Sequence, residues 1–471
     1  MPIDIQIQEL DTTGYNTANY RYDAYTGGFE LSTPAHTVNN GKCQVYRYLS
    51  PFLPAGYPSS VTDDYTPYQI YDSLQAFAST IAGLLASRAV FVGMGVGSED
   101  ASVITTMLLY IAQATIGRIA TIAFADRFSQ QIEANVKFYR FFADIVNDAA
   151  FVLDCISPHL PILGRAITLC VSNACRALCG VAGGSSKAIL STHFAKAGNI
   201  GELNAKDGSQ ETVVSLIGMW VGGLVVSKVE GIAETWCCMI PLLALHLWCN
   251  WKAVKSVRLS TLNTERAVIL FDGVLQGQTK SLDEVGKQEG ILGKGDMLRT
   301  AEGRLLSSCK VGASVDELLR IMRLKELGVP GRPETAGERL ARLLEVFHEE
   351  EYLLWADITT GQAVIILKED ASVVTQAKGF LHLMRLANSH SPLQKDKTKR
   401  MEDPQKSIMM PQQDDEILKY LEQTLHENST LWPAIKDRVQ AAGWELEKGT
   451  LEQGPSYRVR MCNGPDSKKD K

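Results

Sequence analysis

The sequence predicts a mainly α protein, in which a membrane-associated helical bundle is followed by a smaller α+β C-terminal region. The first observation behind this is an uneven distribution of charge. Residues 68–256 contain 13 basic and 13 acidic residues, which is 26 charges in 189 positions. Residues 257–471 contain 64 charges in 215 positions, close to the ~25 % of ordinary soluble domains. The two parts of the chain are therefore expected to lie in different surroundings.

The second observation is a series of long apolar stretches in the charge-poor part, too long for strands. They are Leu74–Ser87, Ala101–Gly117, Phe141–Leu163, Ala166–Ser186, Thr212–Ser227 and Thr235–Trp251. The longest charge-free runs, Ala101–Gly117 and Thr235–Trp251, have 17 residues, the lower limit of the ~17–25 needed to cross a bilayer. The pattern leaves two arrangements open: a membrane-spanning bundle, or a bundle buried in protein or at a membrane interface.

Charged residues interrupt or flank these stretches: Arg88, Arg118, Asp144, Asp148, Asp154, Arg165, Arg176 and Glu234. In hydrocarbon each must face the bundle interior, a partner or water, so spanning helices predict internal ion pairs. Gly218 and Gly222 have the small-x-x-x-small spacing that lets two helices approach closely.

The chain divides into five predicted segments: an irregular N-terminal arm (1–50), the helical domain (51–275), an α+β region (276–388), a polar linker (389–413), and a small helix-hairpin module with a disordered tail (414–471). A short strand is expected near Gln44–Tyr48. Residues 51–67 contain four prolines and predict an ordered loop, which ends where Asp72 or Ser73 caps a helix.

The C-terminal half carries shorter patterns of mixed type. ERAVILFDG predicts a strand, DELLRIMRLKELG and ERLARLLEVFHEE predict amphipathic helices, and YLLWADITTGQAVIILKE predicts a hairpin before a helix over Val373–Leu386. The last module is expected to contain helices over Asp414–His426 and Trp432–Ala442, followed by a hairpin formed by GWELEKGT and SYRVRM.

Composition excludes several classes of protein. Lys and Arg total 47 and Asp and Glu total 53, so the net charge of −6 gives no basic surface for nucleic acid. Ten scattered cysteines without a secretory leader predict an intracellular, reducing compartment. Cys170, Cys175 and Cys179 have spacings unlike those of zinc sites, and we expect no metal there.

The first candidate ligand site is the segment GVAGGSSK. Its backbone N–H groups could hold a phosphate at a helix start; the residues concerned are Gly183, Gly184, Ser185, Ser186 and Lys187. Ser185 stands where a P-loop needs its second glycine, so the segment is not a P-loop. The alternative is a helix contact made possible by the glycines, followed by a serine cap.

The second candidate follows directly, in STHFAKAGNIGELNAKDGSQET. This segment reads as a loop outside hydrocarbon, with candidate ligand-binding residues His193, Lys206, Asp207, Gln210 and Glu211. Asp207 and Gln210 also fit a capping box for a helix that begins at Thr212, so a purely structural role stays open. Lys187 or Lys206 could form a Schiff base with pyridoxal phosphate, but no acidic partner for the pyridine nitrogen is recognisable, and the cofactor is unknown.

A third candidate is an ion relay. Asp144, Asn147 and Asp148 share one helix face, and two neighbouring carboxylates repel unless a cation or proton is near. The sequence leaves two roles open: a proton or metal-ion relay, or ion pairing to Arg118 or Arg140.

Three motifs resemble the ROOT UVB SENSITIVE (RUS) family, also described as vitamin B6 photo-protection and homoeostasis proteins. They are FLPAGYPSSVTDDYTPYQIYDSLQAF with STIAGLLASRAVFVGMGVG, FFADIVNDAAFVLD, and GVAGGSSKAILSTHFAKAGNIGELNAKDGSQETVVSLIG. The resemblance covers residues 45–275 strongly. Tyr71 departs from the family pattern, which is expected to carry Trp there.

The resemblance implies a membrane-associated, non-enzymatic protein of an intracellular membrane, acting as a transporter, carrier or scaffold in vitamin B6 homeostasis and photo-protection. A family paralogue or a second copy of the chain is an expected partner. The alternative is a soluble or peripheral sensor that binds a phosphorylated small molecule such as a B6 vitamer. An enzyme is a third possibility, since carboxylates, His193 and two lysines could be assembled in space, although sequence spacing does not show that they converge.

Overall fold

The computed structural model describes residues 5–10, 16–23, 27–32, 51–94, 103–196, 198–292, 298–299, 305–306, 308–323, 336–357, 362–389, 413–449, 451–452 and 455–460. Within these ranges the chain forms twelve α-helices and nine β-strands. It divides into two compact units, residues 1–132 with 136–257, and residues 133–135 with 258–471.

A three-stranded antiparallel sheet forms near the N-terminus, where the sequence predicted an irregular arm. Its strands are β1 (Ile5–Leu10), β2 (Asn16–Asp23) and β3 (Gly28–Ser32), in the order β1-β2-β3. Tyr22 lies opposite Phe29, with ring centroids 5.1 Å apart. Aromatic pairs that face each other across neighbouring strands stabilise a sheet. The strand expected at residues 44–48 falls outside the described residues.

Six long helices form the first unit, and they coincide with the six predicted apolar stretches. They are α1 (Tyr65–Gly93), α2 (Val103–Ala134), α3 (Val136–Ile156), α4 (Ile162–Phe194), α5 (Ile200–Lys228) and α6 (Ile232–Ser256). All except α3 are long and apolar enough to cross a membrane, judged by length and composition. Helix α3 carries charged side chains along one face and mainly apolar side chains along the other, so the two faces differ strongly in polarity.

Helices α1 and α5 approach closely through two glycines. A Cβ atom at Gly218 would lie 2.9 Å from Cβ of Thr80, and one at Gly222 would lie 3.4 Å from Cα of Ile81. Larger residues at these positions would push the helices apart, so the spacing read from the sequence does mark a close helix contact.

The proline-rich segment is an ordered loop at the end of the bundle where α1 begins. Thr62 N donates to Phe194 O at 3.0 Å, and Lys196 N donates to Ser60 O at 3.1 Å. Helix α1 starts at Tyr65, not at the predicted cap Asp72 or Ser73. The reason is that Pro67 falls in the first helical turn, where no backbone N–H is needed.

The second unit is α+β. Its helices are α7 (Thr264–Leu275), α8 (Leu282–Gln288), α9 (Val315–Arg323), α10 (Ala336–Val346), α11 (Val373–Ser389) and α12 (Gln413–Ala441). Its strands are β4 (Leu298–Arg299), β5 (Leu305–Leu306), β6 (Ser308–Val311), β7 (Tyr352–Asp357), β8 (Gln362–Lys368) and β9 (Arg458–Val459). The predicted hairpin is confirmed as antiparallel β7 and β8, and β8 also pairs in parallel with β6 and β9.

Three C-terminal predictions are wrong. ERAVILFDG forms helix α7, because Asn263 caps it by accepting from Arg266 N at 2.8 Å. The two helices expected over 414–442 are the single helix α12, whose parts on both sides of Pro433 bury apolar side chains in one core. The final hairpin is absent from the described residues 443–449 and 455–460, where only β9 forms, on β8.

Candidate functional site

A buried cluster of charged and polar side chains lies inside the helical unit, centred on Arg140 of α3. Its Nη2 donates to Oδ1 of Asp72 on α1 at 2.6 Å, and its Nη1 lies 3.3 Å from Asp144 one helical turn away. Its Nε donates to the Tyr68 hydroxyl at 3.2 Å. One guanidinium therefore holds two carboxylates and joins two helices, a geometry that suits arginine better than lysine.

Asp144 is the most heavily contacted carboxylate of this cluster. Gln75 of α1 and Asn250 of α6 both donate their side-chain N–H groups to its Oδ2. Asn250 is fully buried and Asp144 is 5 % exposed. Three helices therefore meet at one carboxyl group, which the sequence had singled out only as half of an i, i+4 pair.

Asp148 lies one turn further along α3, next to His246 of α6. His246 Nδ1 is 2.7 Å from Asp148 Oδ1, so the imidazole and the carboxylate are direct partners. Among the described residues, Oε1 of Gln75 and Oδ1 of Asn250 are buried without a hydrogen-bond partner. This part of the interior thus presents acceptor oxygens whose bonding capacity is unused.

Asp154 forms a separate buried ion pair closer to the other end of α3. It accepts from Arg176 of α4, and it accepts from the Ser172 hydroxyl at 2.6 Å. The same hydroxyl accepts from Arg176 Nη1 at 2.8 Å. These three groups satisfy one another, so this pair fastens α3 to α4.

The second polar cluster joins α4 to α5. Lys187 Nζ lies 2.7 Å from Asp207 and 2.7 Å from Glu211. Asp207 also accepts from Gln69 Nε2 of α1 at 2.5 Å. Of the predicted ligand-binding residues, the structure therefore brings Lys187, Asp207 and Glu211 together as an ion triad.

The other predicted ligand residues near this end hold the proline-rich loop. His193 Nε2 lies 2.9 Å from Asp64 Oδ2, and Gln210 donates to the backbone oxygen of Phe52. Lys206 lines a small cavity beside this loop. The predicted capping box at Asp207 and the helix start at Thr212 are wrong, because α5 already begins at Ile200.

The predicted phosphate cradle is also wrong in its geometry. Gly183, Gly184, Ser185 and Ser186 lie in the middle of α4, where backbone N–H groups are used by the helix. Gly183 faces Ala143 of α3: a Cβ atom at position 183 would lie 3.5 Å from the Ala143 methyl group. The helix-contact alternative describes this glycine correctly.

Arg118 is separate from the buried cluster. It lies on the exposed side of α2, and Asp144 pairs with Arg140 instead. Among the described residues no group of three or more His, Cys, Asp or Glu side chains is placed to hold a metal ion.

Sequence reasoning missed several members of the two polar clusters: Gln69, Asp72, Gln75, His246 and Asn250. A usable signal exists, since polar residues recur along α1 at helical spacing and His246 is followed by Asn250 at i, i+4. Such stripes within an apolar helix indicate a face turned toward the bundle interior.

The outer surface of the unit is apolar. Ile104, Tyr110, Ile122, Trp220 and Leu224 are each at least 70 % exposed. Further exposed apolar side chains lie on α4 and α6. Large exposed apolar surfaces of this kind are typical of sites that contact a membrane or another protein.

Comparison with known proteins assigns both units to one family. Residues 40–278 match the vitamin B6 photo-protection and homoeostasis domain, and residues 326–455 match the C-terminal domain of root UVB sensitive proteins. The chain belongs to the root UVB sensitive family. The resemblance read from the three RUS motifs is thereby confirmed.

The chain is similar to RUS relatives from Arabidopsis thaliana and Dictyostelium discoideum. The chain is 31 % identical over 346 residues to "Protein root UVB sensitive 3" of Arabidopsis thaliana, covering 73 % of this chain and 75 % of the relative. It is 40 % identical over 246 residues to "RUS family member 1" of Dictyostelium discoideum, covering 51 % of this chain and 47 % of that longer protein. It is 22 % identical over 412 residues to "Protein root UVB sensitive 2, chloroplastic" of Arabidopsis, covering 86 % and 83 %. No solved structure matches the chain.

Proposed function

We propose that this RUS-family protein is a membrane-embedded carrier of an unphosphorylated B6 vitamer. The single observation that carries the proposal is the distribution of polarity in the helical unit: paired charges lie inside, and large apolar side chains lie outside. A soluble protein has the opposite arrangement. Lipid chains are the neighbour that makes such a surface stable.

The buried ion pairs support the membrane placement further. Arg140, Asp72 and Asp144 satisfy one another inside the bundle, as charged groups in a spanning helix must. Helix α3 carries most of these charges, and the five more apolar helices are those of spanning length. The charged side chains of α3 therefore face the neighbouring, more apolar helices.

The charge balance of the two polar clusters indicates the class of solute. Asp72, Asp144 and Asp148 stand against one arginine, and Asp207 and the half-exposed Glu211 stand against Lys187. Carboxylates exceed permanent cations in both clusters, so a phosphate ester would be repelled. The unused acceptor oxygens of Gln75 and Asn250 favour a neutral or cationic solute with several donors. Pyridoxine, with its hydroxyl groups and ring nitrogen, is such a solute.

The alternative sensor of a phosphorylated vitamer has less support. The backbone N–H groups of Gly183–Lys187 are used inside α4, and the Lys187 charge is balanced by two carboxylates. Neither is available to hold a phosphate without breaking existing contacts.

Membrane insertion is tested by alkaline carbonate extraction of membranes from cells that express the full chain. We expect the protein to stay in the pellet, since apolar contact with lipid does not depend on charge. Release into the supernatant would contradict the proposal. Imaging of a tagged full-length chain then identifies the intracellular membrane.

Transport is tested with purified protein in liposomes loaded with radiolabelled pyridoxine. We expect flux with the unmodified chain and its loss in Asp144→Asn, with Asp126→Asn on the exposed side of α2 as the matched control. Both variants are first compared for thermal stability in detergent, so that a purely structural role of Asp144 is separated from transport. Equal flux in all three proteins and in empty liposomes would exclude a carrier of this solute.

A further inference from the structure

A cavity of about 480 Å³ lies between α1 and α5, beside the proline-rich loop. Eight of its twelve lining side chains are aliphatic or aromatic. Ile70, Leu74 and Ile217 belong to this lining and are each about half exposed, so the cavity opens toward the apolar outer surface. Its size falls within the ~300–1,000 Å³ of small-molecule sites.

The cavity is polar at the end next to the loop. Gln69, Gln210 and Thr66 lie there, and the Thr66 hydroxyl is 2.7 Å from the Tyr57 hydroxyl. The Tyr65 hydroxyl is buried beside the Gln210 side chain. A buried hydroxyl in this position is suited to bind a ligand oxygen.

A second cavity of about 300 Å³ adjoins the first, and both are lined by Leu53 and Tyr57. It carries one acidic and one basic side chain, Glu202 and Lys206. Glu202 also accepts from Ala55 N at 2.8 Å, which fixes the loop over the start of α5. The lining is therefore mainly apolar in the first cavity and carries both signs of charge in the second.

We propose that the two cavities form one binding site for a phospholipid with a zwitterionic head group. The head group lies at Glu202 and Lys206, where a phosphate and an amine each meet an opposite charge. The glycerol oxygens lie near Tyr65 and Gln210, and one acyl chain lies between α1 and α5. The mainly apolar lining of the larger cavity matches an acyl chain better than it matches a small polar vitamer.

This site shares the membrane placement with the proposed function, but it contains none of Arg140, Asp144 and Asp148 and does not depend on which solute is carried. Lipid binding and pyridoxine flux can therefore fail independently. The probe is 1-palmitoyl lysophosphatidylcholine, a single-chain zwitterionic lipid, titrated into the full-length protein in detergent and detected by native mass spectrometry.

The deciding variants are adjacent on α5. Val214 lines the cavity, and Val213 is 38 % exposed outside it. We expect Val214→Trp to weaken binding at least about tenfold and Val213→Trp to leave it unchanged. Ser73→Phe blocks the same cavity from α1 and should reproduce the loss if Val214→Trp does not fold.

The head-group assignment is tested separately. Lys206→Gln is expected to weaken binding about threefold, the size of a partly exposed charge contact. Lysophosphatidylcholine is expected to bind more tightly than lysophosphatidylglycerol of the same chain. Equal binding by the Val214 and Val213 variants, or preference for the anionic lipid, would overturn the proposal.

Discussion

Arg140 on α3 and Asp72 on α1 are joined at 2.6 Å from Nη2 to Oδ1, with 11 % of each side chain exposed. The same guanidinium contacts Asp144 one turn further along α3. One arginine thus pairs with two buried carboxylates, one on its own helix and one on a neighbouring helix. Its geometry fixes how α1 packs against α3.

The first prediction concerns this arginine. Arg140→Met removes the ion-pair partner of both Asp72 and Asp144, and we expect the free energy of unfolding to fall by about 3–5 kcal/mol. The measurement is SDS-induced unfolding of the purified protein in detergent. Arg118→Met, on the exposed side of α2, is the control. Equal loss in both variants would argue against a structural role for the buried pair.

The second prediction concerns the glycines between α1 and α5. Gly218→Ala places a methyl group 2.9 Å from Cβ of Thr80, a stiff β-branched neighbour, so one helix must shift. We expect a loss of about 1–3 kcal/mol. Gly223→Ala is the matched control, because its methyl group would meet nothing within 4 Å and alanine favours the helix by up to ~1 kcal/mol. In thermal unfolding in detergent, we expect Gly223→Ala to have the highest melting temperature, the unmodified protein an intermediate one and Gly218→Ala the lowest.

The six long helices could be predicted because their apolar length exceeds that of any strand. The composition of the buried cluster could not. Asp144 and Asp148 share a face by helical spacing alone, whereas Asp72 on α1 and His246 on α6 join them from distant parts of the chain. Spacing gives neighbours on one helix and says nothing about which other helix faces them.

The loop predicted over residues 191–212 is wrong at residues 191–194, which lie in α4, and at residues 200–212, which lie in α5, and the cause is related. Asn204, Asp207 and Ser209 are weak helix formers, so this stretch resembles a loop when read alone. In the structure Asp207 pairs with Lys187 and accepts from Gln69. These tertiary contacts favour helix α5 from Ile200 onward, and local propensity does not include them.

The third prediction concerns a buried ion pair in the C-terminal unit. Arg266 Nη1 donates to Glu289 Oε1 at 2.6 Å, with 2 % of each side chain exposed. Arg266→Met should leave the Glu289 carboxylate buried and unneutralised, and lower the free energy of unfolding by about 3–5 kcal/mol. Adding Glu289→Leu removes that charge and should restore most of the loss. Urea unfolding of the full chain, followed by protease digestion of the C-terminal unit, measures both.

The fourth prediction concerns a histidine in the core of the same unit. His382 is fully buried between two hydroxyl groups, with Nδ1 2.9 Å from the Tyr352 oxygen and Nε2 2.9 Å from the Thr424 oxygen. Burial, with Arg385 and Lys378 nearby, lowers the pKa of His382 to about 3 from an ordinary 6.5. The neutral imidazole is therefore the form that the fold requires.

Because the pKa of His382 is lower in the folded chain than in the unfolded chain, acid favours unfolding. The stability that depends on neutral His382 is complete above about pH 6.5 and is lost progressively as the pH falls toward 3, by up to about 1.4 kcal/mol per pH unit. The urea midpoint of the C-terminal unit, measured by protease digestion, should therefore fall between pH 7.5 and pH 5. His382→Gln, which cannot take up a proton, should show a weaker dependence. Parallel pH profiles for the two proteins would mean that His382 is not the group responsible.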